Sequence, residues 1–209
     1  MKKLRGSLLV LMLVVITMFS GCSMKESSKQ VYSKGVIKED TYESKFLNLK
    51  FTTPEGYTMF AEDDLNQYVQ FAEGIVYKDK DQKVIDYSKA VTVYEMMCAE
   101  ATINSPNVNI VIENLLGRKV SIDDYIESSK QQLLATGIEY TFGDTTKDVE
   151  LAGEKYTVLD CVGNYAGQEL LQQMYIRQVG NRMLLLTVTY TEDTAEGKDT
   201  LLAGFTAIK

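Results

Sequence analysis

The chain has no histidine at any of its 209 positions. That absence removes Ser-His-Asp and Cys-His nucleophiles, His-ligated zinc and histidine acid–base work. It also has no G-x-G-x-x-G and no P-loop, so the usual phosphate-cradling loops are missing. No S-x-x-K occurs, which is the signature of the penicillin-binding serine enzymes. Prolines number only two and cysteines three. Carboxylates, lysine, tyrosine or a lone cysteine are what remain for catalysis. No repeat and no low-complexity segment is present in the body of the chain.

Long apolar runs are equally scarce, and the exception lies at the N-terminus. Lys2, Lys3 and Arg5 precede Leu8 to Phe19, and the small residues Ser20 and Gly21 lead to Cys22. Positive charge, a short apolar core and small residues form the plan of a secretory signal peptide. The run is short for a membrane span, which needs roughly 20 mostly apolar residues. Ser20-Gly21-Cys22 resembles the lipobox of bacterial lipoproteins. The resemblance implies cleavage between Gly21 and Cys22, and diacylglycerol linked to the Cys22 thiol. An uncleaved anchor over Gly6 to Met24, which holds no charge, is the alternative. Either way the membrane is a partner and the rest of the chain is extracytoplasmic.

Residues 1–21 are therefore read as the leader, 22–40 as a lipidated cysteine with a flexible tether, and 41–209 as a single domain. A flexible coil of about 20 residues would span roughly 25 Å. The tether carries Lys25, Lys29, Lys34 and Lys38 against Glu26, which suits either anionic headgroups or a plain solvated spacer. The formal net charge is −7; loss of the leader makes it −10, and without the tether lysines residues 39–209 carry −13. Such a domain repels phosphate backbones, so nucleic acid is excluded as a partner.

Within the domain, Phe46 to Tyr57 alternates Leu47, Leu49 and Phe51 with Asn48 and Lys50, which predicts a half-buried strand. Pro54 and Gly56 end it in a turn. Ala61 to Gly74 has helical spacing, with Glu62, Asp63 and Asp64 at its start. Those acids complement a helix dipole better than they form a calcium cluster, so no metal and no cofactor is expected. Tyr77 to Lys83 reads as a charged turn. Lys89–Ala101 and Asn107–Leu115 read as strands joined around Pro106. Ser121 to Gly137 is the clearest helix: Ser121 caps it, Asp124 answers, Ile122, Tyr125, Ile126, Ser129 and Leu133 share a face, and Gly137 suits the αL position after it.

Three further strands follow, linked by Ala166-Gly167 and Gly180-Asn181, two-residue links that suit tight hairpins. With that register Leu159 faces Met174 and Met174 faces Thr187, while Val158 faces Tyr175 and Tyr175 faces Leu186. Both sides are apolar, so the sheet needs cover on both. Thr194 to Phe205 reads as a closing helix, weakened by Gly197 and Gly204. The expected fold is α+β: an antiparallel sheet of about six strands with helices on both faces. The order of elements, with Phe51-Thr52-Thr53-Pro54-Glu55-Gly56-Tyr57, Ser121 to Ile126 and the meander from Gly153 to Tyr190, resembles PsbP, the extrinsic photosystem protein, and its bacterial lipoprotein relatives. The resemblance implies an α/β/α sandwich that binds or stabilises something, and it transfers no catalytic residue.

Two pairs carry the remaining chemistry. Cys98 and Cys161 lie in predicted strands; export allows a disulfide, and buried free thiols are the alternative. Asp160 interrupts an apolar strand and faces Gln173 in the predicted register, either as a buried polar pair or as a ligand contact. Tyrosines of the late strands, such as Tyr175 and Tyr190, suit core, sheet surface or sugar stacking. The expected function is that of a non-catalytic, membrane-anchored extracytoplasmic binding or accessory lipoprotein, partnered by an envelope protein or a small ligand. The alternatives are a carboxylate-based cell-envelope hydrolase and a structural subunit of an envelope complex. Replacement Cys22→Ala should abolish metabolic lipid labelling and leave precursor or released protein, read by fatty-acid labelling and fractionation; unchanged labelling would rule the lipid out.

Overall fold

The computed structural model describes residues 31–61, 64–65, 92–100, 105–136, 138–165 and 167–208. The leader, the Gly21-Cys22 junction, Glu62, Asp63, the charged turn at 77–83 and Gly137 lie outside the described residues, as does all but Asp64 and Leu65 of the core of the predicted 61–74 helix. Among the described residues eleven strands form two sheets. The larger has seven, in the order β4 (Thr58–Met59), β5 (Thr92–Ala99), β6 (Asn107–Asn114), β10 (Arg182–Tyr190), β9 (Gln168–Val179), β8 (Glu154–Tyr165) and β7 (Glu139–Leu151), every neighbouring pair antiparallel. The smaller has four, in the order β1 (Val36–Lys38), β2 (Thr41–Ser44), β3 (Leu49–Thr52) and β11 (Phe205–Ala207).

Burial explains the centre of the large sheet. Strands β5, β6 and β10 are buried along almost their whole length, and a strand covered on both faces reads as a continuous rather than alternating apolar run. One face carries Val93, Met96, Val108, Ile110, Ile112, Leu184, Leu186 and Val188. The opposite face carries Tyr94, Met97, Val111, Met183, Leu185 and Met174.

The two faces are covered differently. Helix α1 (Ile122–Ala135) lays Tyr125, Ile126 and Leu133 on the second face. Its start follows the predicted capping: the Ser121 hydroxyl accepts from the Asp124 N–H at 3.0 Å, and the first turn is acidic. The first face lies under the four-stranded sheet, through Tyr42, Phe46, Leu47, Leu49, Phe51 and Phe205, and under α2 (Ala195–Ala203), through Leu201. The expectation of helices on both faces is thus corrected: a second sheet supplies most of one cover. Only β3, within the predicted strand at Phe46 to Tyr57, was legible; the other three strands are three or four residues long and carry no sustained pattern.

Polar contacts fix the small sheet on the large one. Arg177 of β9 donates to the Leu47 carbonyl at 2.6 Å and pairs with Glu154 of β8 at 2.6 Å, while Asn48 donates to Glu154 at 3.3 Å. The folded region also reaches further back than the domain start expected at residue 41. Tyr32 is buried, Val36–Lys38 pairs with β2, and so the segment read as the last part of a flexible tether is packed.

The meander follows the predicted register residue for residue: Leu159 faces Met174, Met174 faces Thr187, Val158 faces Tyr175 and Tyr175 faces Leu186. Gly180 holds its turn at φ +60°, where a side chain would be strained. Strand β7, a thirteen-residue edge absent from the sequence reading, pairs with β8 through two bulges, at 143–144 and 147–148. Replacement Ser121→Ala should destabilise the domain by about 1 kcal/mol, lowering Tm by roughly 2–4 °C in a thermal melt, with Ser121→Asp close to wild type.

Candidate functional site

The strongest local polar arrangement on the open part of the sheet grows from one residue of β8. Asp160 interrupts the apolar sequence Thr157-Val158-Leu159, and the antiparallel register sets it opposite Gln173 of β9. The Gln173 amide Nε2 donates to Asp160 Oδ1 at 2.9 Å, and the Tyr175 hydroxyl donates to Gln173 Oε1 at 3.2 Å. The amide is therefore held from both ends. Asp160 is exposed, so the pair predicted from register is real but is not a buried one. Its second oxygen has no hydrogen-bond partner among the described residues.

Alongside Asp160 runs one register row across four strands: Thr141 of β7, Val162 of β8, Leu171 of β9 and Tyr190 of β10. These residues and Asp160 line a shallow groove of about 360 Å³. Lys198 of α2 borders it, its ammonium 5.5 Å from the Tyr190 ring and 3.4 Å from Asp199. Burial raises both phenols above the usual tyrosine value; Asp160 adds to the rise at Tyr175, and Lys198 offsets part of it at Tyr190. Both hydroxyls therefore stay neutral donors at physiological pH. The groove combines a fixed carboxylate, an apolar floor and a tyrosine edge. Among the described residues its lining holds no lysine, no arginine and no second carboxylate.

Directly behind the groove floor, on the α1 face, Gln172 is buried and donates to Thr189 Oγ1 at 3.0 Å, while the Tyr140 hydroxyl donates to its Oε1 at 3.4 Å. Cys161 packs against the same amide. This network fills hydrogen-bonding needs inside the core rather than presenting groups to solvent.

The cysteine pair is corrected. Cys98 and Cys161 are both buried and both free. They point to opposite faces, Cys98 toward the small sheet and Cys161 toward α1, with β6, β10 and β9 between their strands. Four inter-strand steps of about 4.8 Å separate them by roughly 19 Å, beyond any disulfide. Burial pushes each thiol up to about 12, which leaves almost no thiolate at neutral pH.

One residue that the sequence reading passed over stands out. Glu95 has no exposed surface, although it sits in the middle of an apolar strand. It is the extra residue of a bulge in β5, lying between Tyr94, which faces Val111, and Met96, which faces Ile110. The bulge turns its side chain toward the small sheet. There the carboxylate accepts from the Tyr32 hydroxyl, from the Gly35 N–H at 2.7 Å and from the Tyr42 hydroxyl at 2.9 Å. A lone acid inside Val93-Tyr94-Glu95-Met96-Met97 was the available signal, since a buried carboxylate demands donors from elsewhere.

Comparison with known proteins gives no family. No family model and no curated protein matches the chain. Among solved structures, the chain is similar to the solution structure of cyanobacterial PsbP from Synechocystis, with a TM-score of 0.47, 11% identity, and coverage of 85% of this chain and 99% of that one. It is similar to LpqN, involved in cell envelope biogenesis of Mycobacterium tuberculosis, with a TM-score of 0.43, 9% identity, and coverage of 77% and 83%. A protein of unknown function from Pseudomonas aeruginosa gives a TM-score of 0.36 at 15% identity, over 48% of this chain and 66% of that one. None of these likenesses is close enough to assign a role. No helix among the described residues is long and apolar enough to cross a membrane.

In the native protein, Cys98 and Cys161 should resist maleimide for hours and react on unfolding without any reductant. Labelling that required a reductant would mean a bridge, and rapid native labelling would mean an accessible thiolate.

Proposed function

We propose that the chain is an extracytoplasmic, membrane-anchored binding or accessory domain without catalysis of its own, and that its ligand seat is the groove beside Asp160. The observation that carries the reading is the chain of bonds from Tyr175 through Gln173 to Asp160, which fixes one carboxylate oxygen and leaves the other open beside an apolar floor. Such preorganisation lowers the ordering cost of binding. A carboxylate that must accept hydrogen bonds, in a domain of strongly negative charge, favours a ligand that donates and disfavours an anion. The Val162, Leu171 and Tyr190 side chains ask that the same ligand carry an apolar face. A saccharide ring satisfies both demands, with hydroxyls toward Asp160 and its carbon face on the floor. The membrane attachment rests on the leader and on Cys22, and a hydrolase would want a second carboxylate across the groove.

The test is a titration of the isotope-labelled chain with soluble cell-wall saccharides, read by amide chemical shifts. Shifts should gather at Asp160, Leu171, Gln173 and Tyr190. Asp160→Asn should weaken binding by about tenfold or more, the cost of a hydrogen bond to a charged group, with the fold unchanged. Shifts elsewhere, or affinity indifferent to Asp160→Asn, would refute the site.

A further inference from the structure

The segment from Tyr32 to Lys38 lies at the margin of the domain, with Tyr32 in the core and Ile37 packed against it. Its strand, β1, is an edge strand of three residues, paired among the described residues with β2. Val36 and Lys38 are exposed and Ile37 is half-buried. Its most specific contacts are those of the Tyr32 ring and the Glu95 carboxylate. The ring sits edge-on to Phe46 at 5.2 Å, and the Arg182 guanidinium of β10 lies 4.0 Å from its centroid. Two of the three donors to Glu95, the Tyr32 hydroxyl and the Gly35 N–H, belong to this segment; the third, Tyr42, belongs to β2. Gly35 also has to be glycine for the segment to lie down. A Cβ there would come within 2.8 Å of the Tyr42 hydroxyl and closer still to its ring. Every feature of the segment thus converges on one buried carboxylate presented by a bulge.

We propose that Tyr32–Lys38 is a strap latched by Glu95, which opens as a local unit while the seven-stranded sheet stays folded and which closes more tightly as pH falls. Local opening is expected where few apolar contacts hold an edge element. When the strap is off, Glu95 meets water and ionises as an ordinary carboxylate. When it is on, burial raises the Glu95 value above 4.5, and the hydrogen bonds from Tyr32, Gly35 and Tyr42 and the charge of Lys34 recover only part of that rise. The titratable and charged groups facing it are therefore Tyr32 and Lys34 from the strap and Tyr42 from β2, with Arg182 of β10 behind the Tyr32 ring. Burial, the largest cause, holds the Tyr42 phenol well above its usual value, so it stays neutral. Closing the strap takes up a proton. The stability it gains from Glu95 is fully present below the ordinary carboxylate range and is lost as pH rises through the raised value.

The experiment is hydrogen exchange by mass spectrometry on the full chain in detergent, from about pH 4 to about pH 8, corrected for intrinsic rates, so that the window opens at the ordinary carboxylate range. Peptides covering 32–38 should exchange faster than those of β6 and β10. Their protection should fall with rising pH, by up to about tenfold per pH unit in the window where only the closed form holds the proton. Tyr32→Phe keeps the ring, removes one donor and should lower strap protection several-fold while leaving β6 and β10 unchanged. Glu95→Gln should remove the pH dependence. Should Glu95→Gln not retain protected β6 and β10 amides, the wild-type pH profile and Tyr32→Phe decide the matter. Strap peptides that exchange only in step with β6 and β10, a flat wild-type profile, or a profile that survives in a folded Glu95→Gln, would each overturn the proposal.

Discussion

Three adjacent strands, β5, β6 and β10, present apolar side chains to both sides, and the rest of the molecule is arranged to keep those two surfaces from water. Each buried large aliphatic side chain contributes on the order of 2 kcal/mol, so leaving either face open would cost more than a domain of this size has to spare. Among the described residues one face is covered by the capped helix α1, with Leu65 and Leu115 in the same cluster. The other is closed by short strands drawn from both ends of the described chain, β1 to β3 and β11, together with α2. Joining the two ends in one small sheet makes that cover depend on the whole chain being folded. At the end of the sheet formed by β7 to β10, beside α2, lies the Asp160 groove.

A buried polar group is costly unless it is answered, and two sets inside the sheet are answered in different ways. Gln172, Thr189 and Tyr140 satisfy one another within one face. Glu95 is satisfied across layers, by groups distant in sequence. The second kind specifies architecture, because it is met only when the N-terminal segment lies in one place. The same demand makes that segment sensitive to protonation in a way the rest of the sheet is not.

Much of the centre was legible from sequence. The meander register followed from two-residue links, and the pairing of Asp160 with Gln173 followed from the register. The α1 capping followed from Ser121 and Asp124. What escaped lay where local pattern is weak. Strand β7 is largely polar and twice bulged, so neither alternation nor burial marks it, although Ala152-Gly153, with both residues at positive φ, is the same kind of two-residue link as Ala166-Gly167. Of the small sheet only β3 was legible, because the other strands are short and the partners come from opposite ends. The bulge at Glu95 adds one residue and so breaks the alternation that would have shown which face the acid occupies. The separation of Cys98 and Cys161 depends on strand order, which no local pattern encodes.

Strand β7 leaves thirteen residues of backbone along one margin of the large sheet. A flat margin of that length would be a template on which a second copy could add its own strand. Two bulges interrupt the ladder, and Lys147 and Asp148 are placed at the second of them. Wherever many copies are crowded together, the irregularity that hid this strand from the sequence reading would keep neighbouring molecules from joining into a continuous sheet.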